Sequence, residues 1–183
     1  FNIDYEGDYN VYLNDPRNIN LGKKLITDKK ILIEKERLKE INETEYHEIL
    51  INHTTPYSPF DILENKSLLL ENNFDNLNAI DWDKGCYVGQ EITARMKYRG
   101  LLKKKLYALK IKSGDVLEGD ELIVDNKKIG TIVSKANSNI FAALNINFVN
   151  EIKNKNQNLV INDSLSFDFL NWKFFSIKTY WNY

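Results

Sequence analysis

Lys84-Gly85-Cys86-Tyr87-Val88-Gly89-Gln90-Glu91, followed four residues later by Arg95, gathers most of the groups in this chain that could do chemistry. It contains the only cysteine among 183 residues, so any thiol chemistry is located here. A thiol acts as nucleophile or metal ligand in its thiolate form, which nearby cations and helix N-termini favour. Lys84 lies two residues before Cys86, and residues 90–98 hold good helix formers with no Gly or Pro. The spacing therefore predicts a helix that starts just behind the cysteine. Gly85 and Gly89 bracket Cys86 and Tyr87 and allow backbone angles or close approaches that a side chain would forbid. The plainer alternative is a small buried hydrophobe, since free cysteine is often buried.

This run resembles the signature of the YgfZ-type folate-binding proteins, K-G-C-[aromatic]-x-G-Q-E-x-x-x-R. Lys84, Gly85, Cys86, Tyr87, Gly89, Gln90, Glu91 and Arg95 fill all eight fixed positions of the twelve. Further segments support the resemblance. Val11-Tyr12-Leu13, Asp15-Pro16-Arg17 and Leu21-Gly22 are similar to the family's strand, D-P-R turn and L-G pair; Leu70-Glu71 with Asn73-Phe74 is similar to its L-E-x-N-F segment. Tyr46 and Pro56 fit an aromatic-x-x-x-Arg helix end followed by Gly-Ile-Pro, but Leu50 replaces the arginine and Thr54 the glycine. Asp8 to Ile26 match the interior of the family's first domain, which implies that the N-terminal portion of a full-length member is absent.

The resemblance implies a tetrahydrofolate-binding accessory protein of iron–sulfur cluster assembly or repair. It would serve cluster-containing enzymes, tRNA-modifying ones among them, beside scaffold or carrier partners. Cys86 would be the working residue, a transient cluster or sulfur contact, with no resident metal site. Glu71 would accept the paired N–H groups of a pterin, a bidentate geometry that suits a carboxylate. Tyr46 and Tyr87 would offer ring faces to the folate. Lys84 and Arg95 would bind its glutamate tail or position Glu91. The rival readings are a folate-dependent aminomethyltransferase-like one-carbon transferase, against which the K-G-C-Y run argues, and an RNA-binding module.

That last rival rests on Lys97, Arg99, Lys103, Lys104 and Lys105, interleaved with Tyr98. Such a run more often marks a solvated helix end or strand edge. The net charge of −1 and sequence pI of about 6.2 provide no global basic field, which argues against RNA contact. One cysteine excludes an internal disulfide framework, and His47 and His53 make no metal cluster with it. No apolar run approaches the roughly 18 to 20 residues of a membrane span. These features suggest a reducing, cytoplasmic setting.

The elements that must position these residues follow from periodicity. Residues 8–13 read as a strand ending at the Asn14-Asp15-Pro16 turn, 21–33 as one or two strands, and 35–52 as an amphipathic helix. Residues 54–61, with two of the three prolines, read as a loop. Beyond Gly100 come short alternating runs at 106–111, 121–124, 128–133, 140–146, 159–161, 165–169 and 174–177. These predict an α+β chain, in which a partial aminomethyltransferase-like folate-binding domain (1–99) precedes a small antiparallel β-barrel (100–183).

Overall fold

The computed structural model describes residues 10–27, 39–155, 158–162 and 164–170. In chain order the elements are β1 (Asn10–Asn14), a 3₁₀ turn (Ile19–Leu21), β2 (Lys23–Thr27), α1 (Glu43–Asn52) and α2 (Gln90–Tyr98). Then come β3 (Lys104–Ser113), β4 (Glu121–Val124), β5 (Lys127–Ala136), β6 (Asn139–Asn145), α3 (Ile146–Asn154), β7 (Leu159–Asn162) and β8 (Leu165–Phe169). The run at 174–177 lies outside the described residues.

The six later strands form one antiparallel sheet in the order β4-β5-β6-β3-β8-β7. It curls until its edge strands β4 and β7 meet, which makes a nearly closed barrel. Turn chemistry sets the register. Val124 pairs with Lys127 across Asp125-Asn126, both with positive φ (49° and 60°). A two-residue hairpin of that twist suits Asp and Asn. Gly130 is required for another reason: a Cβ there would lie 2.5 Å from the Ala143 carbonyl oxygen.

Strands β3 and β6 are buried on both faces, and the period of two explains how. Tyr107, Leu109, Ile140, Ala142 and Leu144 point into the barrel with Leu122, Ile132, Leu159 and Phe167. The alternate residues Leu106, Ala108 and Phe141 point outward and are covered by Ile51 of α1. Burial inside the barrel pushes the Tyr107 phenol up to about 12. Helix α3 adds Val149 and Ile152 to the inner core. It interrupts what the pattern suggested was a plain connection; its start is capped by Asn145, whose Oδ1 accepts from the Asn147 and Phe148 N–H groups.

Helix α1 is shorter than the 35–52 expected. It begins at Glu43 because Asn42 and Glu45 form a reciprocal capping box, with both bonds 2.9 Å, which leaves Ile41 outside. Residues 35–38 of that expectation lie outside the described residues. Strand β1 matches the expected strand from Asn10 onward, and β2 (Lys23–Thr27) realises the run at 21–33 as far as the described residues reach, 28–33 lying outside them.

Candidate functional site

Helix α2 spans the residues expected of it, Gln90–Tyr98, and the signature builds its entrance. Gly89 is the N-cap at φ +87°, a left-handed conformation that a side chain would strain. The Gln90 side chain folds back so that its Oε1 accepts from the Tyr87 N–H at 3.2 Å, while the Tyr87 carbonyl accepts from the Gln90 N–H at 3.2 Å. Arg95 pairs with Glu91 one turn away, so the ion pair foreseen for Glu91 is formed by Arg95. Lys84 places its ammonium 4.3 Å from the centroid of Tyr87.

Cys86 is exposed, which excludes the buried-hydrophobe alternative. Its neighbours Val88 and Gly85 are exposed as well, and a Cβ on Gly85 would meet nothing within 4 Å. Most of the other signature side chains are thus engaged in local structure, while the thiol faces solvent. Among the described residues no group of three or more His, Cys, Asp or Glu could hold a metal ion.

The residues implied for folate are held in separate settings. Glu71 belongs to the L-E-x-N-F segment, which is bolted to β3: the Glu71 carbonyl accepts from Leu106 N–H at 2.7 Å, and Asn73 Nδ2 donates to the Leu106 carbonyl at 2.7 Å. Asn73 ends a helical turn at φ +63°, a conformation asparagine tolerates, and its buried Oδ1 has no hydrogen-bond partner among the described residues. The Glu71 side chain is 18% exposed and lies 3.3 Å from the exposed Lys104 ammonium. The carboxylate is thus partly exposed and paired with a lysine.

Tyr46 is held differently. Its ring packs edge-on against Tyr57 at 5.9 Å, and its hydroxyl accepts from Arg17 at 3.5 Å. The three candidates thus contact different side chains: Tyr46 meets Tyr57 and Arg17, Glu71 meets Lys104, and Tyr87 meets Lys84 and Gln90. An open groove of about 310 Å³ runs along α2 between Glu91, Ala94, Arg95, Tyr98 and Arg99. A second groove, about 460 Å³, lies on the barrel beside Phe148, Ile152 and Val160. Neither is lined by the three folate candidates.

Tertiary structure also reveals contacts that the sequence alone does not show. Asp61, 1% exposed, joins three elements: its Oδ1 meets His47 Nε2 of α1 at 2.9 Å and accepts from Ser134 Oγ of β5, and its Oδ2 accepts from the Tyr57 N–H at 2.7 Å. His47 stacks on Phe60 at 5.3 Å. Arg17 grips Asp15 through Nη2 at 2.7 Å, and hydrogen bonding to this guanidinium holds the Asp15 carboxyl down to about 2 despite its burial. The D-P-R turn was the available signal for that pair.

Thr54 explains the missing glycine of the Gly-Ile-Pro pattern. Its N–H donates to the Ile51 carbonyl and the Thr55 N–H to the Leu50 carbonyl, both at 2.9 Å. That paired arrangement ends a helix with a left-handed residue, usually glycine. Thr54 occupies it at φ +53°, fully buried, with its hydroxyl unpartnered among the described residues.

Three of the five basic-run residues are engaged within the fold. Lys97 sits 3.6 Å over the Trp82 ring, Lys104 pairs with Glu71, and Lys105 pairs with Asp75 at 3.3 Å.

No protein-family model matches the chain. Comparison with curated proteins finds similarity to a class defined by one task, the assembly of iron–sulfur clusters. The mitochondrial iron-sulfur cluster assembly factor IBA57 homolog of Dictyostelium discoideum is 34% identical over 121 residues, covering 62% of this chain and 30% of that protein. Mitochondrial IBA57 of Mus musculus is 32% identical over 101 residues (54% and 28%), and that of Homo sapiens 30% over 102 (55% and 28%). The chain spans less than a third of the length of these relatives. All three are mitochondrial by name, which overturns the cytoplasmic setting expected from composition. A net charge near zero and a lone cysteine describe a reducing compartment and do not distinguish one such compartment from another. Among the described residues no helix is long and apolar enough to cross a membrane.

Proposed function

We propose that this chain acts in iron–sulfur cluster assembly or repair as a folate-binding accessory factor. Cys86 makes a transient contact with the cluster or its sulfur while a scaffold or carrier protein holds the remainder. The observation that carries this reading is the signature loop: Lys84 lies over Tyr87, Gln90 holds the Tyr87 N–H, Gly89 caps α2, Glu91 pairs with Arg95, and the single thiol is left exposed. The similarity to proteins named as cluster assembly factors supports the same task. A single thiolate cannot hold a cluster alone, so the remaining ligands come from a partner protein or from a second copy of this chain. Client enzymes, tRNA-modifying ones included, receive the assembled cluster.

In this reading residues 1–99 form part of a folate-binding domain and 100–183 its barrel companion. Tetrahydrofolate places its pterin N–H groups on Glu71, displacing Lys104, with Tyr46 and Tyr87 as ring contacts. The partial exposure of Glu71 supports that placement.

Cluster transfer from a loaded scaffold to an apo client, followed by visible circular dichroism, tests the role of Cys86. Cys86→Ser is expected to slow transfer about tenfold or more, and an unchanged rate would refute the role. Calorimetry with tetrahydrofolate tests Glu71. Glu71→Gln keeps an acceptor but loses the charge, and it should weaken binding about tenfold. Equal affinity would remove Glu71 from the site.

A further inference from the structure

We propose that Trp82 and Lys97, neither of them in the signature, are positioning residues that fasten the Cys86 loop to the far end of helix α2. The proposal rests on the reading of Cys86 given above. The loop has two anchors. One is Gly89-Gln90, where it enters the first turn of α2 through the Tyr87–Gln90 hydrogen bonds. The other is Trp82, which packs against the last turn: the Lys97 ammonium lies 3.6 Å from the centre of its ring, and the Tyr98 ring meets it nearly perpendicular at 6.3 Å. Lys97 also lies 5.3 Å from the Tyr98 centroid, so the cation bridges both rings.

The geometry follows from chain lengths. Helix α2 has nine residues and is therefore about 13 Å long at ~1.5 Å per residue. Residues 83–89 must return over that distance, although seven residues can reach about 24 Å when extended. The loop therefore has slack between its anchors, with Cys86 at its centre and both Cys86 and Val88 exposed. The loop residues 83–89 contain no helix or strand, so the two ends determine where the thiol stands. Desolvation lowers the pKa of the Lys97 ammonium from its usual range, while Asp75 and Asp83 act in the opposite sense.

The lone cysteine makes the test direct, because a nitroxide label attaches at Cys86 alone. In the otherwise unchanged chain the label should show a broad, slow component by electron paramagnetic resonance. Lys97→Gln removes the charge but keeps most of the stem, and Trp82→Leu removes the ring; both should sharpen the spectrum. Lys97→Arg retains the cation over the ring and should restore the broad component. Thermal midpoints should stay within a few degrees, which separates loosening from unfolding. In cluster transfer with the unlabelled proteins, Lys97→Gln should lose about tenfold and Lys97→Arg should not. Unaltered spectra in both Lys97→Gln and Trp82→Leu, or looser spectra with full transfer rates, would overturn the proposal. Full transfer by Cys86→Ser would instead refute the reading of the thiol, a result distinguishable because the spectra would still respond to Lys97.

Discussion

The barrel strands and the Cys86 loop resolve the same problem, fixing backbone in space, by opposite means. Strand β6 buries Ile140, Phe141, Ala142 and Leu144 on two faces at once, between the barrel interior and α1. The loop and α2 bury Thr93 and Met96 but leave Val88, Ile92 and Tyr98 in solvent. Their order comes instead from a left-handed glycine, a glutamine folded onto the backbone, an ion pair and two cations over aromatic rings. Burial gives stability that is strong and insensitive to detail, at about 25 cal/mol per Å² of apolar surface. Local bracing gives much less energy but places a single group accurately and keeps it accessible. Stability and chemistry are therefore carried by different residues, and mutations should separate them.

The largest test lies where α1 joins the barrel. Asp61 accepts from Ser134 and the Tyr57 N–H and pairs with His47, so Asp61→Ala strands two buried side chains and a half-buried N–H. A loss of about 3 to 5 kcal/mol in urea unfolding is expected. A loss under about 1 kcal/mol would show that α1 is held to the barrel chiefly by Ile51 packing and by the Asn137 and Asn139 hydrogen bonds to Glu48 and Asn52. Thr54→Gly should act in the other direction. It relieves a β-branched residue of left-handed φ and removes an unpartnered buried hydroxyl, against a lost methyl and a more flexible unfolded chain. A net gain of about 1 kcal/mol is expected; a loss would mean that methyl packing outweighs strain.

Asp15 supplies a pH test of the β1–β2 hairpin. Its folded pKa of about 2 lies below the ordinary 3.8, so its contribution is present above pH 4 and lost as the pH falls from 4 towards 2. Asp15→Asn should flatten that part of the acid limb of stability, as followed by circular dichroism. An unchanged slope there would mean that Arg17 and Asp15 remain paired when the chain unfolds. The smallest stability effect belongs to Cys86. Cys86→Ser exchanges one exposed polar group for another and should shift unfolding by no more than about 0.5 kcal/mol. A drop of 2 kcal/mol would place the thiol in the structural group and remove the contrast between the regions.

Much of the architecture was legible from local pattern. Helix α2 and strands β4 and β8 begin and end where glycines, turns and alternation placed them. Helix α3 was missed although Phe148, Val149 and Ile152 carry a helical spacing, because the surrounding asparagines and lysines resemble a polar connection. The signature identified Cys86 but not its mounting: Trp82 and Lys97 are fifteen residues apart in the sequence, and no short motif links them. The Tyr46 site was legible only as a residue type, and the edge contact with Tyr57 came from a loop whose path no local rule specifies.

By itself the sequence determined the helix and strand periods, the turns that need positive φ and the identity of the one available thiol. These depend on residues within a few positions of one another, where backbone sterics and side-chain spacing act directly. Only tertiary structure decided that α1 covers the outer face of β3 and β6, that Asp61 meets Ser134 across 73 residues, and that the Cys86 loop closes on the end of its own helix. Such contacts exist because distant apolar faces must be buried together and buried polar groups must find partners, and a linear pattern does not specify which distant partner that will be.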